Sequence, residues 1–477
     1  MVKATRSCAV LLGVAALGVF AASVPALAEV QNVKVGGDIT VRGFIRRCLD
    51  LNCGDDQKGG TTPTSASDNN DRYLMHTTGV NVTADLTENV SAHVRLATEN
   101  DWGTGVAAAN SFSDFAVSQS YVTLKELFYS PLTVKVGRQP IVWGRGFVLG
   151  SGLLPSVANR TDDLHAAITS NEFTEFTAFD AIRATIDLSN VAGLNMPLMA
   201  DYVYIKLNEN NTGRSDDVNL QGVNFSTHMD NMGSEAEAYW LLKSDRGSKA
   251  AGVGAALAQD NFGSVNTLGV RGSLKPAEGA YVYGELAYQF GKRALDPDGA
   301  LPAGDAQQAW AWDLGIEYSI NNAWKPKLGW EWIFWSGKDI DGAGNGWDPI
   351  ARGYYTTALR EFQTGANTGF YPTTQGGDTA GATNQHQFAW YGSVNPIEDL
   401  TISPRLTFFW LDEASTGAKA NKRRSYAGAE WDTNVVYNYT DDVQFGFLYG
   451  LFAPGNVYKS PNDNVAQELV TTVSVKF

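Results

Sequence analysis

Apolar and polar residues alternate with a period of two through most of this chain. In the segment Pro326–Trp335, Leu328, Trp330, Trp332 and Phe334 share one face, while Lys327, Gly329, Glu331 and Ile333 share the other. Val443, Phe445, Phe447, Tyr449 and Leu451 repeat the pattern, as do Leu469, Thr471, Val473, Val475 and Phe477 at the end. A period of two marks half-buried strands. Eighteen such segments can be laid out, from Val33–Arg46 to Ala466–Phe477. The gaps between them alternate in length. Thr87-Glu88-Asn89, Pro276-Ala277-Glu278, Asn321-Asn322-Ala323 and Asn395-Pro396-Ile397 are tight turns, whereas 140–177 and 336–384 are long. A soluble sandwich needs a second sheet against each apolar face and leaves open edges. A propeller needs a blade-length repeat, and none is visible. The pattern therefore predicts an all-β chain: one transmembrane antiparallel barrel with short periplasmic turns and long extracellular loops. The alternation is weakest in segments six to eight, and a count of sixteen strands would follow if one pair there were lost.

The opening stretch is different. Lys3 and Arg6 precede the apolar run Ala9–Ala22, and Ala26-Leu27-Ala28 stands before Glu29. This is the layout of a secretory signal peptide, so residues 1–28 are expected to be cleaved and 29–477 to form the barrel. The run is shorter than the roughly 20 residues a spanning helix needs. Trp240, Trp310, Trp324, Trp390, Trp410 and Tyr437 lie near strand ends, where barrels carry aromatic girdles. The expected setting is the bacterial outer membrane, with its lipids, lipopolysaccharide and barrel assembly machinery as partners.

Charge changes the picture little. Loss of Lys3 and Arg6 takes the formal charge from −15 to −17. Mean hydropathy is negative, as it can be when only alternate residues face lipid. An acidic chain is a poor nucleic-acid binder, and no nucleic acid is expected. Cys8 sits inside the signal, away from a lipoprotein cleavage site. Cys48 and Cys53, in CLDLNC, read as a local disulfide in an oxidising compartment.

Candidate chemistry lies in the lumen, where charged side chains select solutes. Strand parity turns Arg42, Arg95, Lys125, Lys135, Arg183, Arg271 and Arg405 inward, together with Glu237, Glu285, Asp313, Glu317, Glu331, Glu430 and Asp432. The bases concentrate in the first six strands and the acids in later ones, so walls of opposite sign are expected. The same residues also read as plain solvated lumen side chains.

Segment 140–177 contains Trp143, Arg145, Arg160, Asp162, Asp163 and His165, and an apolar run from Phe147 to Pro155. Such residues want burial, so this loop is expected to enter the barrel and narrow it. Segment 336–384 is expected to be a long extracellular loop. Within it Asp339, Asp341, Asn345 and Asp348 offer oxygens of the kind calcium takes, but the closing Glu of a calcium-binding hand is missing and turn chemistry explains them as well. No cofactor is expected. No nucleophile elbow is present, and His93, His165, His228 and His386 are scattered, so no catalysis is expected.

Segment Val134–Arg183 contains VKVGRQPIVWGRGFVLGSG and then FDAIRATIDL. It resembles the alginate-export family of outer-membrane porins, in which GRQ ends a strand, a glycine-bearing loop follows, and a Phe-Asp-x-x-Arg strand comes next. The matching residues are Gly137, Arg138, Gln139, Gly144, Phe179, Asp180 and Arg183. The resemblance implies an outer-membrane channel for a small hydrophilic solute, anionic or sugar-like. The alternative is the barrel component of an exopolysaccharide exporter or a conduit gated by a periplasmic partner.

Overall fold

The computed structural model describes residues 32–49, 51, 70–103, 115–129, 131–151, 170–189, 196–208, 217–229, 233–246, 263–292, 306–337, 346–351, 356–360, 383–415, 424–458 and 463–477. The leader lies outside them, as do Cys53, Arg160, Asp162, Asp163, His165, Asp339, Asp341 and Asn345. Eighteen strands form one closed sheet: β1 (Asn32–Arg47), β2 (Asn70–Thr87), β3 (Val90–Asp101), β4 (Ala116–Leu124), β5 (Leu132–Gln139), β6 (Phe179–Asp187), β7 (Leu198–Asn208), β8 (Val218–Met229), β9 (Ser234–Asp245), β10 (Gly263–Leu274), β11 (Ala280–Lys292), β12 (Ala306–Ser319), β13 (Lys327–Trp335), β14 (Gln385–Ile397), β15 (Leu400–Ser415), β16 (Arg424–Asn438), β17 (Val443–Pro454) and β18 (Ala466–Lys476). Each strand pairs antiparallel with its neighbours in sequence, and β18 pairs with β1 to close the ring. At the seam Gly37 donates its N–H to the Phe477 carbonyl at 2.8 Å and accepts from the Phe477 N–H at 2.9 Å.

Closure leaves every strand hydrogen-bonded on both edges, which is the condition for crossing lipid without stranded backbone groups. Among the described residues no helix is long and apolar enough to cross a membrane. The outward face is apolar and uncovered: Val35, Ile39, Val270, Trp310, Leu328, Trp390 and Phe447 are all exposed in the isolated chain. Trp312, Trp332, Phe334, Phe388 and Trp410 form a chain of ring contacts across neighbouring strands. Such an aromatic band belongs at a membrane interface.

The buried residues lie on the inner face. The largest core cluster joins inward residues of β6–β13, among them Val203, Ile205, Leu220, Leu241, Ile333 and Trp335, to Trp143, Phe147, Leu149, Trp347 and Ile350. These last five come from two connections that enter the barrel.

Candidate functional site

Pairing places the inward side chains in levels. Glu237 lies across from Arg271, Arg271 across from Glu285, and Glu285 across from Asp313, with Glu331 opposite Gly315. One inward position further up the wall stand Tyr239, Ala287, Ala311 and Trp335, a largely apolar level that is almost fully buried.

Segment 141–150 is a hairpin that follows this layering downward. Trp143 donates its N–H to the Leu149 carbonyl at 3.0 Å, and Val142 bridges Gly150. The apolar arms meet the apolar level, with Phe147 stacked on Trp335 at 5.7 Å. The tip reaches the carboxylates. The Trp143 indole N–H donates to Asp201 at 2.8 Å, the Gly144 N–H to Glu237 at 2.9 Å, and the Arg145 N–H to Glu285 at 3.4 Å. The Arg145 guanidinium lies 3.4 Å from Asp313, 3.8 Å from Glu331 and 3.6 Å from the centre of the Tyr283 ring. Gly144 has φ +60°, and a Cβ there would stand 2.6 Å from Glu285 Oε2, so this turn takes no side chain.

Segment 336–384 departs from the simple extracellular loop expected of it. Its residues 346–351 lie inside, against the hairpin: Gly150 donates to Ala351 at 2.8 Å and Ala351 to Val148 at 3.3 Å. Gln289 donates to the Asp348 carbonyl at 2.7 Å, and Gln307 to that of Gly346 at 2.8 Å. The Asp348 carboxylate takes Lys243 at 2.9 and 3.1 Å, so it serves an ion pair. The other three oxygen donors considered for calcium lie outside the described residues, and among those described no group of three metal-ligating side chains occurs. Further along, Leu359 and Arg360 donate their N–H groups to Glu430 at 2.6 and 2.8 Å.

Residues 170–177 return along the opposite wall. Glu172 pairs with Arg46, which also donates to Glu468 at 2.5 Å. Glu175 takes Arg95 at 2.6 and 2.9 Å, and Arg95 reaches Asp38 at 2.8 Å. Glu99 accepts from the Glu175 N–H at 2.6 Å and from Thr174 at 2.9 Å. Phe173 packs on Phe44 with Arg42 over its ring.

Between these segments a cavity of about 810 Å³ remains. Glu172, Thr174, Thr356 and Thr357 line it from the loops, and Lys327, Tyr391, Ser403, Arg405, Asp432, Asn434, Glu468 and Thr472 from the wall. A second cavity of about 490 Å³ lies toward the short-turn end of β2–β6, lined by Lys125, Lys135 and Arg183 with His93, Tyr121 and five threonine or serine hydroxyls, including Thr83 and Thr185.

The pairings put the thirteen strand residues chosen by parity on the inner wall, and Lys125, just past β4, lines the second cavity. The walls are not divided by sign, however. Arg183 pairs with Asp201 at 2.8 Å, Arg271 with Glu235 and Glu237, Arg405 with Glu331, and Lys327 with Glu317. Asp38, Arg46, Glu99, Asp201, Lys243 and Glu468 also point inward and were missed. Parity alone could have found Arg46, in step with Arg42, and Glu468, out of step with Leu469. The motif residues are mostly architectural. Arg138 faces outward and grips Asp180 with two bonds of 2.9 Å. Gln139 is fully buried and donates to the carbonyls of Lys135, Gly137 and Ala181. Gly137, at φ +122°, brings its Cα against the Ser120 carbonyl, where a Cβ would stand 2.2 Å away. The motif thus fixes the corner from which the hairpin dives. Cys48 is disulfide-bonded, while Cys53 lies outside the described residues.

The family model described as alginate export matches residues 57–472. No curated protein sequence matches the chain. Among solved structures, it resembles a BenF-like porin from Pseudomonas fluorescens Pf-5 (TM-score 0.52, 11% identity, covering 94% of this chain and 99% of that one). OpdQ of Pseudomonas aeruginosa (TM-score 0.51, 11% identity, 94% and 99%) and OccAB2 of Acinetobacter baumannii (TM-score 0.51, 9% identity, 94% and 99%) share the fold equally well.

Proposed function

Because this chain belongs to the alginate export family and folds as an outer-membrane barrel of the porin type, we propose that its narrowed lumen is a passive channel for small hydrophilic solutes, anionic or sugar-like in character. The observation that carries this is the pairing of two cavities along one lumen. The larger is bordered by hydroxyls and by charges of both signs, and the smaller by two lysines, an arginine and hydroxyls, with no carboxylate among the described residues that line it. Hydroxyl-rich walls exchange hydrogen bonds with a polyol, and cations at one end hold a carboxylate loosely enough to let it leave. The inward segments 141–150, 346–351 and 356–360 restrict the opening. No step of bond making is assigned to any residue. Lipid and lipopolysaccharide would meet the outward apolar face, and the barrel assembly machinery would insert the chain.

Family membership also favours a second reading, a conduit for an acidic exopolysaccharide. Both are tested by conductance of the purified, refolded protein in planar bilayers with a monomeric sugar acid or an oligouronate added. Steady openings that either compound interrupts support a channel for that size of solute. A silent bilayer overturns the open-channel reading and leaves a partner-gated conduit.

A further inference from the structure

We propose that Arg145 sets the ion preference of this passage by covering the carboxylate belt of β9–β13 with a positive charge that the loop, not the wall, supplies. The proposal rests on the channel reading above. Glu237, Glu285 and Asp313 stand at one level of the inner wall, and a fourth carboxylate, Glu331, stands one inward position below. The wall answers two of them with its own cations: Arg271 holds Glu237 at 2.8 Å and Arg405 holds Glu331 at 2.5 Å. Glu285 is met by the Tyr239 hydroxyl at 2.7 Å, which carries no charge. Among the described residues, the cation set against Asp313 comes from the hairpin tip. The Asp313 side chain is fully buried beneath it, while that of Arg145 keeps 27% of its surface open. A solute passing this level therefore meets a guanidinium edge, with the carboxylates behind it.

The tip does not depend on that guanidinium for its shape. The Trp143 indole on Asp201, the Gly144 N–H on Glu237, and the turn bond from Gly146 to the Trp143 carbonyl at 2.9 Å all form without it. The Phe147–Trp335 stack anchors the arm above. Neutralising Arg145 thus uncovers the acid belt while the hairpin stays seated. Removing one charge a few ångströms from the ion path, partly screened by salt, changes the cation-to-anion permeability ratio on the order of threefold.

The experiment is the reversal potential across a potassium chloride gradient for the native chain, Arg145→Gln and Arg145→Lys. The expected result is a ratio shifted toward cations in R145Q, native behaviour in R145K, and a return toward native when Asp313→Asn is added to R145Q. An unchanged ratio in R145Q overturns the proposal. So does a larger conductance in R145Q without a change of ratio, which would make Arg145 a structural peg only. A native protein that never conducts overturns the channel reading, and this proposal with it.

Discussion

The two sides of the lumen differ in how far down the loops fill them. Along β7–β13 the upper inward positions are mainly apolar, with Lys243, Gln289 and Gln307 among them, and two loop segments fill the space against them as a protein core would. Along β14–β18 and β1–β2 the upper inward positions Phe409, Leu411, Phe452, Phe44 and Met75 also pack against loop residues such as Leu51, Leu359 and Phe173, but lower down the wall is polar or charged and an open cavity remains, bordered by Arg405, Asp432, Asn434 and Thr472. An eighteen-stranded ring is too wide for wall side chains to meet across it. What occupies the ring is then decided locally, by whether the wall offers apolar area that a loop gains by covering. The difference teaches that the opening lies where the loops stop short of the polar wall.

The sharpest way to break the comparison is to unseat the filled side. Trp335→Ala removes a nearly fully buried ring that Phe147 stacks on, at a cost of about 3–5 kcal/mol to the packed side. The expected result is a higher and noisier single-channel conductance while the barrel itself still folds, checked by its heat-dependent gel mobility. Next in size is Glu430→Ala, which strands the N–H groups of Leu359 and Arg360, at about 1–3 kcal/mol each if they find no other acceptor. A cysteine placed at Ala358 should then react faster with a charged thiol reagent than it does beside the native Glu430.

Trp143→Phe is expected to do less, since it keeps the ring and loses one charge-assisted bond to Asp201, worth about 1.5–3 kcal/mol before the remaining Arg183 pairing compensates. Brief openings above the native level would reveal it. The smallest effect belongs to the open cavity, which Lys327 lines from the lower end of β13. Lys327 is half-exposed and its pair with Glu317 is solvated, so Lys327→Gln should change stability by less than ~1 kcal/mol and leave conductance near native. A large effect there would mean that the wall of this cavity is as tightly organised as the filled side.

Much of this was legible before any coordinates. The alternation of β13 and β17 fixed which residues face lipid, and the same parity brought Glu331, Arg405 and Asp432 to the lumen. The apolar run after Val142 announced that the loop would seek burial. Other features were not legible, for physical reasons. In β7, Val203, Ile205 and Leu207 face inward while Tyr202 and Tyr204 face out, so both faces are apolar and the period carries no sign. In segment 336–384, Trp347, Ile350 and Leu359 are too thinly spread among glycine and aspartate to show an amphipathic pattern. The expectation of walls of opposite sign failed because summing residues strand by strand ignores partners that arrive from loops, as Glu172 and Glu175 do at Arg46 and Arg95.

The sequence by itself determined the barrel and the inner or outer place of most strand residues, and left the count at eighteen or sixteen. These follow from a two-residue period repeated along the chain, and lipid rewards that period at every strand. Only the tertiary structure decided where the opening lies, which carboxylate each cation meets, and that residues 141–150 and 346–351 pack on one another. Those outcomes depend on contacts between segments some two hundred positions apart, and no local period encodes such a meeting.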